Sequence, residues 1–288
     1  MKRRFITAVL ATVAAAGVLG AASTSEAQEL QLTGPLKGAP AVRDMRLYRE
    51  GRFTLAPTMS FTLLDEYRRT ILVGARLEYN IKDWLAIGVW GAYGLVSTTT
   101  NLSDQIDAIA PRNAITATNV NHGGTYPNYT NAPFADQTAK LKYVLAPQLT
   151  FIPFRGKLAI FNKIFVDADF YASGGVGFVG ISERSPCGDT GQLSCASSNS
   201  FTLSDTLKIA PTFGVGFTFY PGDLWSIGLE YRALPFSWNR GGFDTRGSGT
   251  NQNFPDQKIN STDDTFDFNQ MITLSVGFSF PTRPTISQ

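Results

Sequence analysis

Phe266-Asp267-Phe268-Asn269-Gln270-Met271-Ile272-Thr273-Leu274-Ser275-Val276-Gly277-Phe278-Ser279-Phe280 decides the fold. Alternate residues from Phe266 are apolar at every position except Gln270, and those between are mostly small or polar. A two-residue repeat is the signature of a β-strand with one greasy and one wet face. Ordinary half-buried strands run about 5–6 residues. A strand this long suits an oblique bilayer crossing, which takes about 9–11 residues in the hydrocarbon. Open sheet edges cannot sit in lipid, because their backbone groups would go unpaired. One such strand therefore implies several more and a closed ring.

Seven other stretches carry the same alternation. Their apolar stripes begin at Phe53, Ile71, Leu85, Leu141, Ile164, Leu207 and Trp225. The links are Leu64–Arg68, Lys82–Asp83, Ser97–Ala139, Pro153–Lys163, Ile181–Asp205, Pro221–Asp223 and Ser237–Thr265. Apart from the first, long links fall on one end and shorter ones on the other, as in outer-membrane barrels. The 153–163 link is of medium length and is expected to hold a short helical turn. The expectation is an all-β, eight-stranded, antiparallel up-and-down transmembrane barrel over 51–280. Its termini and short turns would face the periplasm and its long loops the exterior. The alternative, a soluble β-sandwich or lipocalin-like barrel, would make the second face rich in Lys and Glu. Here that face is mostly Gly, Ala, Ser and Thr.

Met1-Lys2-Arg3-Arg4, an apolar run to about Ala22, and Ser25-Glu26-Ala27 form the pattern of a secretory signal peptide cut after Ala27. Residues 28–50 read as a periplasmic lead-in and 281–288 as a C-terminal tail. No later stretch is long and apolar enough for a helical span. The chain carries 25 Lys+Arg and 23 Asp+Glu, and removing the leader, with Lys2, Arg3, Arg4 and Glu26, leaves equal numbers of each. A neutral mature chain argues against a nucleic-acid partner. Cys187 and Cys195 are the two cysteines, and export makes a disulfide between them plausible. No histidine lies near them, so a zinc site is rejected.

With the apolar stripes facing lipid, the inward charges are Arg52, Arg76, Lys140, Lys142, Lys208 and Arg232 against Glu78, Asp167, Asp169, Glu230 and Asp267. An eight-stranded lumen is just wide enough for side chains to fill it. These groups read as an internal ion-pair network, with a polar path for small solutes as the alternative. Gly175-x-Gly177-x-x-Gly180 matches a dinucleotide fingerprint, but Pro186 and the residues before it give no helix to hold a pyrophosphate. His122, the single histidine, sits mid-loop, without rigid support for catalysis. Asp263-Asp264-x-x-Asp267 lacks calcium-loop spacing. The sequons at Asn101, Asn128 and Asn260 are chance matches in a bacterial envelope. No catalytic, metal or cofactor residue is assigned.

Val42-x-x-x-x-Leu47-Tyr48-x-x-Gly51-Arg52-Phe53-Thr54-Leu55-Ala56-Pro57 resembles the approach to the barrel in outer-membrane β-barrel domain proteins of myxobacteria and their relatives. Gly156–Asn162, Asp169-x-Tyr171 and Gly174–Gly177 resemble the middle of that family. The resemblance covers about residues 42–280 and implies a fold and a location but no shared activity. More loosely, the chain is similar to small barrels of OmpA/OmpX and OmpW type. Those often end on a terminal aromatic, whereas here Pro281–Gln288 follow Phe280. The implied partners are outer-membrane lipid, lipopolysaccharide and the barrel assembly machinery. The implied state is a monomer, without nucleic acid. A non-enzymatic structural or adhesive surface protein is the first reading, then a narrow conduit, then a lipid-modifying enzyme.

Overall fold

The computed structural model describes residues 49–63, 65–109, 134–160, 164–195, 198–221 and 224–280. The leader, most of the lead-in, the tail and His122 lie outside the described residues. Eight strands close into one antiparallel barrel: β1 Phe53–Leu63, β2 Arg68–Lys82, β3 Leu85–Thr99, β4 Lys140–Ile160, β5 Ile164–Arg184, β6 Leu203–Tyr220, β7 Trp225–Trp238 and β10 Thr265–Phe280. Each pairs with its neighbours in sequence, and β1 closes on β10. Between β7 and β10, β8 Gly247–Ser248 and β9 Phe254–Pro255 form a small loop ribbon. Helix α1 Asn101–Ile109 follows β3.

Stepping across paired residues leads from Phe53 to Tyr79, Ile87, Leu149, Gly174, Phe213, Ala233, Gln270 and back to β1 at Leu63. The circuit returns ten residues further along β1. Strand number and stagger together set the tilt, which comes out at about 40°. The pleat then sorts the side chains. On β10, Leu274 and Val276 are 47% and 43% exposed while Ser275 between them is 7%. The same alternation runs along β6, where Phe213, Val215 and Phe217 point out and Thr212, Gly214 and Gly216 point in. Such an unbroken apolar exterior is far larger than any patch a water-soluble monomer tolerates. Hydrocarbon is its matching solvent, and the barrel is the β architecture that satisfies every backbone group there.

Three features differ from the expectation. The 153–163 link holds no helical turn among its described residues. Instead β4 runs to Ile160 and β5 starts at Ile164, and Phe154↔Phe170 through Ile160↔Ile164 extend the hairpin below the barrel. Pairing with a partner, not local period, sets that boundary. At the other end β5 continues to Arg184 and β6 begins at Leu203, shortening the loop placed at 181–205. Finally, the inward face is not uniformly small and polar. Leu72, Trp90, Val144, Val179, Ile181, Leu234, Phe236, Trp238 and Met271 form a buried apolar cluster inside the ring. Ala233, placed on the lipid stripe, is buried as well.

Candidate functional site

The lumen is built in layers. At the end carrying the short turns, Arg49 reaches up from the residues before β1. Its guanidinium pairs with buried Asp169 and lies 4.2 Å from the Tyr220 ring centroid. Its backbone N–H donates to Asp83 Oδ1 at 2.7 Å, and that of Glu50 donates to the same oxygen at 3.1 Å. Arg155 faces Asp83 Oδ2 at 3.4 Å. Burial pushes the Asp83 carboxyl up, but the two amides and Arg155 outweigh it and hold it below the usual range. Together these contacts tie the start of the barrel across its own mouth.

The middle layer is a charge cluster. Glu230 Oε2 accepts from Arg76 Nη1 at 2.9 Å and from the Tyr171 hydroxyl at 2.8 Å. Its Oε1 accepts from Arg232 Nε at 2.7 Å. Arg232 also donates to Thr212 Oγ1 at 3.0 Å and Gln148 Oε1 at 2.7 Å, and stacks 4.5 Å from the Trp90 ring. Glu78 balances Arg76 at 3.4 Å and accepts from Thr150 at 2.6 Å. Two guanidiniums and two carboxylates cancel, and every nitrogen of the Arg232 fork finds a partner, which is what buried charge requires. The glycines beside this layer allow close strand approach. A Cβ on Gly175 would lie 2.1 Å from the Pro147 carbonyl oxygen, so this glycine serves the wall and not a nucleotide.

The apolar cluster sits above the charges. It encloses a cavity of about 20 Å³ lined by Leu141, Val179, Leu234, Phe236, Trp238 and Met271 with Asp65 and Arg68 at its upper rim. Burial pushes the Asp65 carboxyl up. The loops then cap the mouth. Tyr67, Phe134 and Phe243 cluster with centroids 5.3–6.3 Å apart. Arg68 holds Thr138 and the Ala135 carbonyl, Gln137 donates to the Gly241 carbonyl at 2.9 Å, and Ala139 N–H to that of Arg240 at 2.8 Å. Cys187 and Cys195 form a disulfide with Cα atoms 5.1 Å apart. Cys187 pairs its backbone with Ile259 in both directions at 3.0 Å, so two loops share one bridge. Arg184 joins them by donating to the Ser200 and Gly242 carbonyls at 3.1 and 2.9 Å. Asp244 accepts the Asp256 and Gln257 amides at 3.3 and 2.6 Å, and Asp263 accepts those of Thr245 and Arg246 at 2.8 and 3.0 Å. These aspartates are loop staples.

The eleven charges expected in one network fall into separate groups. Arg76, Glu78, Glu230 and Arg232 meet in the middle layer. Asp169 pairs with Arg49 at the lower mouth, and Arg52 is buried with its guanidinium 3.5 Å from the Ser279 carbonyl. Lys208 pairs with Asp264 at 2.6 Å and Glu183 at 3.5 Å near the loop end, and Asp267 pairs with Arg240 at 2.9 Å. Lys142 lies at the rim, two residues after β4 begins, and pairs with exposed Asp205 at 2.7 Å, apart from the middle layer. Lys140 and Asp167 are partly exposed. Sequence reading left out Arg49, Tyr171, Glu183 and Arg240; it weighed Asp264 only as a metal ligand, and Gln148 stands on the wet face of the fourth strand's alternation. Tyr171 was available from the same alternation; Arg49 precedes any strand period, and Glu183 and Arg240 fell in stretches read as loops.

Among the described residues no group of three or more His, Cys, Asp or Glu could hold a metal. No family model and no curated protein matches the chain. Solved structures do. The N-terminal barrel domain of Pseudomonas aeruginosa OprF is 7% identical, with 80% of this chain and 98% of that one covered and a TM-score of 0.40. Ail of Yersinia pestis is 12% identical over 80% and 99%, at 0.30. Neisserial surface protein A is 11% identical over 79% and 93%, at 0.32. At these scores the likeness carries nothing about role.

Proposed function

We propose that this chain is a non-enzymatic bacterial outer-membrane barrel that presents a braced loop surface outside the cell. The observation that carries the reading is the filled lumen. A salt-bridged layer, an apolar layer and an aromatic cap follow one another along the axis, each packed with side chains among the described residues. The loop end is stapled by Arg184, by Asp244 and Asp263, and by one disulfide. Such bracing favours a fixed shape for contact over a hinged gate. The outward band supports lipid and lipopolysaccharide as surroundings, the aromatic end of β10 supports delivery by the assembly machinery, and the sequence pattern supports export after Ala27. The motifs at 42–57, 156–162 and 169–177 support membership of the myxobacterial family as part of the same reading. Single-channel recording on purified protein in planar bilayers tests the reading: a silent trace agrees with it, and discrete steps refute the sealed lumen. Deletion of the gene, with cell-surface binding and envelope integrity both unchanged, refutes the surface role.

A further inference from the structure

Arg49 sits in the lower mouth as a bound cation would. Its guanidinium pairs with the carboxylate of Asp169, which is 3% exposed, and lies over the Tyr220 ring. A carboxylate beside an aromatic face suits a planar, delocalised cation. Asp169 makes no other salt bridge among the described residues. The fit of the arginine is loose. Its Nε finds no hydrogen-bond acceptor among the described residues. Beside it lies a cavity of about 30 Å³, lined by Arg49, Glu78, Asn80, Thr150, Tyr171 and Ser226 with others. That is space for about two water molecules. Withdrawing the Arg49 side chain adds its own volume to this space. The enlarged pocket then takes an alkylguanidinium of the same length, and the rest of the lumen stays packed.

The stretch that delivers Arg49 is hinged. Gly51 has φ +77°, a left-handed value that glycine takes without strain, and an added Cβ would meet nothing within 4 Å. The Arg52 N–H closes this turn onto the Arg49 carbonyl at 3.0 Å. Beyond the turn the wall begins with β1 at Phe53. Before it, Arg49 and Glu50 form a short strap outside every strand ladder. Its fastenings are the two amides on Asp83 Oδ1 and the exposed Lys82–Glu50 pair at 2.6 Å. Rotation at Gly51 therefore swings the strap out without unpairing any strand.

We propose that the lower mouth is a binding site for an alkylguanidinium cation, filled in this structure by the chain's own Arg49 and opened when the strap swings about Gly51. Asp169 supplies the counter-charge, Tyr220 the aromatic face, and the polar lining the space for fork nitrogens that Arg49 leaves idle. Two sources carry this chemistry: free arginine-like solutes, and the arginine side chain of another protein. The periplasmic placement of the mouth rests on the membrane-spanning reading. The site itself lies at the opposite end from the loop surface and is independent of that surface's role.

The test is titration calorimetry on the full chain refolded in detergent micelles. Arg49→Ala empties the pocket, and ethylguanidinium supplies the atoms that the truncation removes. This variant is expected to bind ethylguanidinium about tenfold tighter than the parent does, and to bind ethylammonium about tenfold more weakly than ethylguanidinium. Arg49→Ala/Asp169→Asn is expected to lose about tenfold of the ethylguanidinium affinity. No binding to Arg49→Ala overturns the site. Equal affinity for ethylammonium overturns the guanidinium class, and no loss with Asp169→Asn overturns the pocket. If Arg49→Ala gives no folded band by itself, refolding with ethylguanidinium and not with ethylammonium is expected to restore it; failure with both overturns the site. Asp83→Asn keeps Arg49 but loosens the strap, and it is titrated with free L-arginine and with an acetyl-Gly-Arg-Gly-amide peptide. Tighter binding than to the parent is expected for at least one of them: for the free amino acid if the source is a solute, for the peptide if it is a protein. Binding of neither overturns the strap.

Discussion

Glu230→Ala is the sharpest perturbation of the interior. The carboxylate is 3% exposed and takes donors from Arg76, Tyr171 and Arg232 at 2.7–2.9 Å. Removing it leaves two buried guanidiniums with only Glu78 to balance them. Breaking a buried pair from one side costs about 3–5 kcal/mol. Whole-domain stability is about 5–15 kcal/mol, so the variant should keep its fold but lose a large share of its margin. The assay is urea unfolding in detergent micelles, read both by far-UV circular dichroism and by the gel shift between folded and heated barrel. The midpoint should fall in proportion to the slope measured for the parent. The companion variant Glu230→Leu/Arg232→Met removes one charge of each sign and leaves Arg76 balanced by Glu78. It should recover to within about 1–2 kcal/mol of the parent, because the cost lies in unbalanced burial and not in lost attraction. A loss below about 1 kcal/mol for Glu230→Ala would refute the claim that these groups are buried partners. A companion variant no better than Glu230→Ala would refute the unbalanced-charge explanation.

Asp83 gives a pH prediction. Its folded-state pKa is held below the unfolded value, so its stabilisation is present above about pH 4 and is lost as pH falls through the folded pKa. Amide exchange at Arg49 and Glu50 should therefore quicken below that pH, and Asp83→Asn should make it quick at every pH. Cys187→Ser/Cys195→Ser should cost about 2.5 kcal/mol of local loop stability by the chain-entropy model. Limited proteolysis should then cut within 185–202 while the barrel strands stay protected. Gly175→Val puts a side chain into the Pro147 carbonyl and should yield no folded band on the unheated gel. Gly174→Ala next to it, with nothing within 4 Å of the added carbon, should fold like the parent.

The outward face was legible because lipid imposes one rule on every strand. Leu274, Val276, Phe213 and Val215 all stand where the two-residue period puts them. Interior chemistry was only half legible. Arg76, Glu78, Glu230 and Arg232 announce themselves as charges on the wet face. Leu72, Val179, Ile181 and Phe236 do not, since an apolar residue reads the same toward lipid or toward an apolar lumen. Ala233-Leu234 shows the cost: Leu234 keeps the inward phase of β7, while Ala233 stands on the outward phase and is buried all the same. Strand ends were legible only where turn residues stop them. Residues 153–160 stay in a strand because β5 pairs with them, and nothing local signals that. Arg49 joins the lumen through Asp169 and Asp83, contacts separated from it by 120 and 34 residues.

Which face of the wall meets hydrocarbon is tested most directly by spin labels. Single cysteines at Thr273, Leu274, Ser275 and Val276, in a Cys187→Ser/Cys195→Ser background, can be labelled in reconstituted vesicles. Their collision rates with oxygen and with a water-soluble nickel chelate are then compared. Labels at 274 and 276 should favour oxygen strongly, and those at 273 and 275 should be shielded from both reagents. Nickel reaching 274 and 276 from water, or no alternation along the four positions, would contradict the account.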